Sequence, residues 1–170
     1  MIKYKEFKIS ELFDVVGTKS LDEGKLKFVE NGINFVGRVN ENNGIKGKIQ
    51  KQNFEPNEKN TITCTVIGNY KYVKYHKEPY YCSQNINKLI PRFKINERRA
   101  IFIITHLQKF VSQYNGMQSG YKLDDLKNHI ISLPVKELGE INFEFMEKYI
   151  TEIERKYVSE LVTYLKLNFY

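Results

Sequence analysis

Two cysteines, Cys64 and Cys82, are the only thiols in this 170-residue chain, and no CxxC pair occurs. That leaves no basis for a cysteine-built zinc site or a thioredoxin-like redox motif. Both cysteines fall within apolar or aromatic runs, so buried free thiols in a reducing cytoplasm are expected. No apolar run approaches the ~18 residues that span a membrane. Met1 to Lys8 is charged throughout and does not read as a signal peptide. Neither a membrane partner nor a location outside the cytoplasm is therefore expected.

Catalytic signatures are also missing. There is no GxGxxG after a strand, no Walker A loop, no HExxH and no GxSxG elbow. His76, His106 and His129 are separated by 30 and 23 residues, which is not the spacing of a helical metal-ligand pair. An amino-methyltransferase would carry an Asn/Asp-Pro-Pro-aromatic loop; the nearest text is "EPYY", Glu78 to Tyr81, with one proline and the wrong first residue. Asp124 and Asp125 are adjacent, but they stand at what reads as a helix start, where carboxylates oppose the positive end of the dipole. No catalytic centre, metal or cofactor is expected.

What the chain has is apolar mass and positive charge. Apolar residues make up 41%, enough for a core, and the formal net charge is +7 with a pI near 9.2. A basic balance favours a polyanion, nucleic acid before acidic membrane, although an AT-rich genome, in which Lys, Asn and Ile are abundant, would also produce it. The distribution is more informative. Residues 1–135 hold 22 Lys+Arg against 13 Asp+Glu, whereas residues 136–170 hold 5 against 7. A basic body would meet phosphate and a slightly acidic tail would meet protein.

The pattern predicts an α+β fold: a mostly β body with helices inserted late, then one long amphipathic helix. "YKEFKISELFDVV" starts as an alternating strand, with Ser10 as N-cap of a short helical turn. Asn31-Gly32 and Asn43-Gly44 mark turns between alternating runs. "TITCTVIGN" is β-branched throughout and is the strongest strand. In "NYKYVKYHKEPYY", strand alternation sets Lys71, Val73 and Tyr75 on one side and Tyr70, Tyr72, Lys74 and His76 on the other. "INKLIPRFKI" is a further strand, weakened near Pro91. "NERRAIFIITHLQKFVSQY" has helical spacing at Ile101, Ile104, Leu107 and Val111. A short helix and a strand ended by Pro134 follow. The last helix repeats apolar residues at Met146, Ile150, Ile153, Tyr157, Leu161 and Leu165. These residues form a candidate dimerisation stripe, since a lone amphipathic helix leaves an apolar face open unless something covers it. Folding back on its own body is the alternative. The boundaries are 1–138 for the body and 139–170 for the helical element.

Three stretches could touch DNA. The Tyr/Lys run can offer hydroxyls and ammonium groups to phosphate, or it can be an edge strand guarded by lysines. Around the second turn, Arg38 could pair with guanine and Asn42 with adenine in the major groove, whereas Asn43 is explained by the positive φ that the turn requires. In "NGMQSGY" two glycines flank Gln118 and Ser119, more than a helix C-cap needs.

Taken in order, six blocks resemble a known family: "FKISELFDVVGTKSL", "GINFVGRVNENNGIKG", "NTITCTVIGN", "PYYCSQNINKLIP", "GMQSGYKLDDLKNHIISLPV" and "INFEFMEKYITEIE". The chain resembles, over nearly its whole length, the target recognition domain of type I restriction-modification specificity (S) subunits and of related type IIG and IIB enzymes. The resemblance implies a non-catalytic domain that reads half of a bipartite duplex DNA site, with the chemistry on methyltransferase and restriction subunits. It implies recognition loops carrying Lys19, Ser20, Arg38, Asn40, Asn42, Lys46, Lys71, Tyr72, Lys74, His76, Gln118, Ser119 and Tyr121. It also implies a spacer helix that pairs with another.

One departure matters. A full S subunit carries two recognition domains and two spacer helices, and this chain has one of each. A half-subunit that forms a homodimer through the C-terminal helix, a fragment, and a piece of a longer chain all fit; a symmetric dimer would read two inverted copies of one short sequence. Other readings stay open: an interaction module, for instance phage-encoded, that mimics an S subunit; a small metal-dependent nuclease using Asp124, Asp125 and Glu97; and an RNA-binding protein, for which no aromatic single-strand platform is evident.

Overall fold

A computed structural model describes residues 2–116 and 120–169. In chain order these form β1 (Lys3–Lys8), α1 (Ile9–Leu12), β2 (Phe13–Gly17), β3 (Phe28–Val29), β4 (Ile33–Val36), β5 (Ile45–Ile49), β6 (Thr61–Thr65), β7 (Val73–His76), β8 (Tyr80–Cys82), β9 (Ile86–Pro91), α2 (Glu97–Ser112), α3 (Leu123–Asn128), β10 (Ile130–Val135) and α4 (Phe143–Phe169). The fold is α+β, as the pattern of the chain predicts.

Three sheets organise the body. The β-branched strand β6 is buried at all five positions and lies inside an antiparallel sheet ordered β2-β9-β6-β7. A second sheet is ordered β3-β5-β4-β8, with β4 and β8 parallel. A ribbon of β1 and β10 joins the start of the chain to the segment before the last helix, pairing Lys3 with Val135 and Lys8 with Ile130. The two cysteines are buried and free, in β6 and β8.

Register shows how the loops are distributed. In the first sheet Gly17 lies opposite Asn87, Thr65 opposite Ile86, and Cys64 opposite Val73. The C-terminal ends of β2 and β6 therefore share one pole with the N-terminal ends of β9 and β7. In the second sheet Val36 pairs with both Ile45 and Cys82, and Cys82 lies only four residues before Ile86. Both sheets thus open at the same pole.

The main core draws on α1, β2, β6, β7, β9, α2, α3, β10 and α4. Helix α2 starts at Asn96, whose side chain accepts from Arg99 N–H at 3.0 Å. Its core face holds Ala100, Phe102, Ile103, Leu107, Phe110 and Val111. That face is rotated from the expected one: Leu107 and Val111 are on it, but Ile101 is 37% exposed and Ile104 only partly buried.

Three local expectations are corrected. The cap of α1 is Lys8, not Ser10, because Glu11 accepts from Lys8 N–H at 2.6 Å and draws Ser10 into the helix. Pro134 does not end β10, which continues to Val135; in a two-stranded ribbon a residue whose N–H side faces away from its partner can lack that donor. Most consequential is the root of α4. Met146 and Ile150, expected on a dimerisation stripe, are buried in the chain's own core. Asn142 caps the helix by accepting from Phe145 N–H, and Glu147 and Glu154 pair with Arg99 and Arg98 of α2. Ile153 is half-buried, whereas Tyr157, Leu161 and Leu165 are exposed, as is every side chain from Arg155 to Leu167. At 27 residues the helix is about 40 Å long, so nearly half of it projects from the body.

Candidate nucleic-acid interface

The turn between β4 and β5 is built by backbone handedness. Asn42 and Asn43 have φ/ψ of 46°/44° and 54°/30°, and Gly44 follows at φ 79°. Asn is one of the few side chains that tolerates the left-handed region, through local hydrogen bonds. Asn42 Nδ2 donates to Ile45 O at 3.1 Å, and Asn43 Nδ2 reaches across to Tyr75 O in β7 at 2.8 Å. Gly37 N donates to Gly44 O at 2.8 Å and closes the loop. Asn43 is thus explained by the turn, as expected, and Asn42 has the same structural role.

Cations surround this turn. Lys74 Nζ donates to Asn40 Oδ1 at 2.8 Å and to Asn40 O at 3.1 Å, tying the turn to β7. Partial burial lowers the Lys74 pKa, against the opposing charge of Glu41. Lys46 forms an ion pair with Glu23, which holds the loop after β2 beside the turn. In that loop Lys19 Nζ lies 4.0 Å from the centre of the Phe54 ring, and exposed Ser20 bridges to Cys82. Arg38 and Asn40 are exposed, and no carboxylate pairs with Arg38 among the described residues.

Other expected contacts are corrected. Lys71, His76 and Tyr121 are buried and do not reach the surface. Lys71 Nζ donates to Gly68 O and Tyr114 O. His76 Nε2 is hydrogen-bonded to Thr63 Oγ1 at 2.9 Å, and burial, reinforced by the Lys74 charge, lowers its pKa to about 4. Tyr121 OH donates to Thr65 O at 3.0 Å, and burial pushes its pKa up. Each is drawn inward by packing that a reading of alternation alone does not supply. Tyr72 is half-buried, its N–H bonded to Thr65 Oγ1 at 2.7 Å. Gln118 and Ser119 lie outside the described residues.

Some residues that shape this pole are not among the expected DNA contacts. Tyr70 is 66% exposed on the loop after β6. Gln108 and Asn115 bind the backbone of that loop, and nothing local distinguishes them from other polar residues at a helix end. A cleft of about 570 Å³ lies beside the turn, lined by Asn34, Asn43, Lys74, Lys77, Glu97 and Ile101 among others.

The carboxylates of the nuclease reading are held separately. Glu97 pairs with Lys77 at 2.6 Å, Asp124 with Lys127 at 3.6 Å, and Asp125 accepts from Lys122 N–H at 2.8 Å. Among the described residues no group of three or more His, Cys, Asp or Glu could hold a metal ion. No described helix is long and apolar enough to cross a membrane.

Comparison with known proteins gives a consistent result. The family described as the type I restriction modification DNA specificity domain matches residues 1–162. The specificity subunit S.BcgI of a type II restriction enzyme from Heyndrickxia coagulans is 29% identical over 158 residues, covering 90% of this chain and 44% of that protein. The crystal structure of a type I restriction-modification S subunit from M. genitalium superposes with a TM-score of 0.66 at 16% identity, covering 98% of this chain and 43% of that one. An HsdS subunit from Thermoanaerobacter tengcongensis gives 0.64 at 14% identity, over 92% and 38%. The chain spans less than half the length of these relatives.

Proposed function

The chain belongs to the type I restriction-modification DNA specificity domain family, and from that premise we propose that it is the DNA-reading subunit, or half of one, in a restriction-modification system. The observation that carries this reading is the convergence of the loops. The loop after β2, the β4–β5 turn, the loop after β6 and the flanks of residues 117–119 all leave the body at one pole, and Lys19, Arg38, Asn40, Lys46 and Lys74 are on or beside them. Lysines and arginines there would displace counterions from phosphate and set non-specific affinity. Arg38 and Asn40, with Tyr72 at the margin, would meet base edges, each good bidentate contact contributing ~1–3 kcal/mol of discrimination.

The chain itself does no chemistry in this reading. Methyltransferase and restriction subunits carry it, and the complex acts on DNA in the cytoplasm. The body, 1–138, reads DNA, and the helical element, 139–170, spaces and docks. In this reading a second copy pairing through the exposed Tyr157, Leu161 and Leu165 would supply the other half-site reader. The test is to co-express the chain with a methyltransferase subunit and map methylated positions. A bipartite, inverted motif is expected; methylation without sequence preference would refute the reading.

A further inference from the structure

We propose that Lys71 is a positioning residue for DNA recognition: its buried ammonium locks the loop after β6 to the chain that follows α2, so that the two meet DNA as one shape. The inference rests on the DNA-reading function proposed above. Lys71 sits in the Tyr/Lys run, where charge alone would assign it to phosphate, yet it is 1% exposed. Its Nζ donates to Gly68 O at 3.1 Å and to Tyr114 O. An ammonium has three donors and no acceptor, so carbonyls converging from two segments suit it.

The backbone of Lys71 is gripped as well. Its N–H donates to Asn115 Oδ1 at 3.0 Å, and its carbonyl accepts from Gln108 Nε2 at 2.7 Å. Gln108 Oε1 in turn accepts from Val73 N–H at 3.1 Å. One carboxamide of α2 therefore takes the place of a neighbouring strand along β7, which is the edge of its sheet. Gly116 N donates to Asn69 O at 2.9 Å, and the bridged pair Gly68 and Gly116 have φ of 135° and 121°, a region that favours glycine. The two loops meet through backbone at that point, and the Lys71 ammonium is bonded to both segments. Losing the ammonium would leave two carbonyls short of a donor in a part-buried site, and the loops would then be free to separate.

This role is distinguishable from a phosphate clamp. Lys71 fixes relative loop position and does not touch the polyanion, so it acts on discrimination. The experiment uses the full chain and fluorescence anisotropy with two probes: a duplex selected by the wild-type chain from a randomised pool, and a shuffled duplex of equal length. Lys71→Met and the uncharged control Gln108→Ala are both expected to lower the ratio of specific to non-specific affinity by roughly tenfold, with the salt slope on the shuffled duplex unchanged. Thermal melts establish that each variant is folded at the assay temperature, and Gln108→Ala decides the matter if Lys71→Met is not. A fall in both affinities with the salt slope reduced by about 1 would make Lys71 a phosphate contact and overturn the proposal. Unchanged ratios in both variants would overturn it too. If the wild-type chain selects no sequence at all, the DNA-reading function fails first, and this inference with it.

Discussion

Arg98 and Glu154 meet at 2.9 Å, Nη2 to Oε2, and from the next residue to Leu167 every side chain of α4 is exposed. The pair marks where the helix leaves the body. Both partners are about half exposed, so the pair contributes little to stability; what anchors the root is burial of Met146 and Ile150. The helix is thus core at its root and exposed from Arg155 to Leu167.

That division separates two substitutions of similar chemistry. Met146→Ala is expected to destabilise the fold by about 2–5 kcal/mol, as a cavity in a packed core does. Leu161→Ala is expected to change monomer stability by less than about 0.5 kcal/mol. Denaturant melts at low protein concentration measure both, and equal losses would mean that the free end is packed in solution.

Truncation tests pairing, provided the cut respects the core. Ending the chain at Pro134 would strip Met146 and Ile150 from the body and unfold it. Ending it after Arg155 keeps the root and removes Tyr157, Leu161 and Leu165. Light scattering is expected to report a folded monomer for this truncation and a dimer for the whole chain; a truncation that stays dimeric would locate the contact elsewhere.

Arg38 is exposed, beside the left-handed turn, and without a carboxylate partner among the described residues. Arg38→Ala is expected to weaken specific binding by roughly ten- to a hundredfold, the range of one bidentate base contact, and non-specific binding far less. Competition anisotropy against a shuffled duplex measures the split. Equal losses on both duplexes would make Arg38 a phosphate contact.

His76 gives the fold an acid limit. Its pKa falls from 6.5 in the unfolded chain to about 4 in the folded one, so between those values the unfolded state binds more protons. Stability from this site is complete above pH 6.5 and is lost as pH falls through the window to about 4, by roughly 3 kcal/mol in all. Denaturant melts at intervals across the window are expected to show the loss in the wild type and a flatter profile in His76→Gln. Parallel profiles would assign the acid sensitivity to another group.

Much of this architecture was legible because its signals are local. The β-branched run of β6, the Asn-Gly turns and the long apolar spacing of α4 each depend on a few neighbouring residues. The misplacements arise where only packing decides the outcome. Alternation correctly grouped Lys71 with Val73 and Tyr75, but it does not say which side faces the core, and that side turned inward, carrying the lysine with it. His76 went inward for a different reason: both faces of β7 are covered near Thr63 and Tyr80. The core face of α2 is not legible locally because Ile101 looks as apolar as Ile103, and only the packed sheet and α4 choose between them. Two of the six stripe residues, Met146 and Ile150, belong to the core for the same reason, since an apolar spacing reads identically whether its partner is the chain itself or another copy.

The left-handed run at Asn42, Asn43 and Gly44 bears on how such a reader can change over generations. Three consecutive residues at φ of 46°, 54° and 79° restrict that corner to a small alphabet of asparagine, glycine and aspartate, because β-branched and bulky side chains are strained there. Mutational drift at these positions is therefore narrow whatever DNA is selected. Arg38, Asn40, Lys46 and Lys74 carry no such backbone restriction, so a new preference would be acquired at those four positions while the corner they surround stays the same.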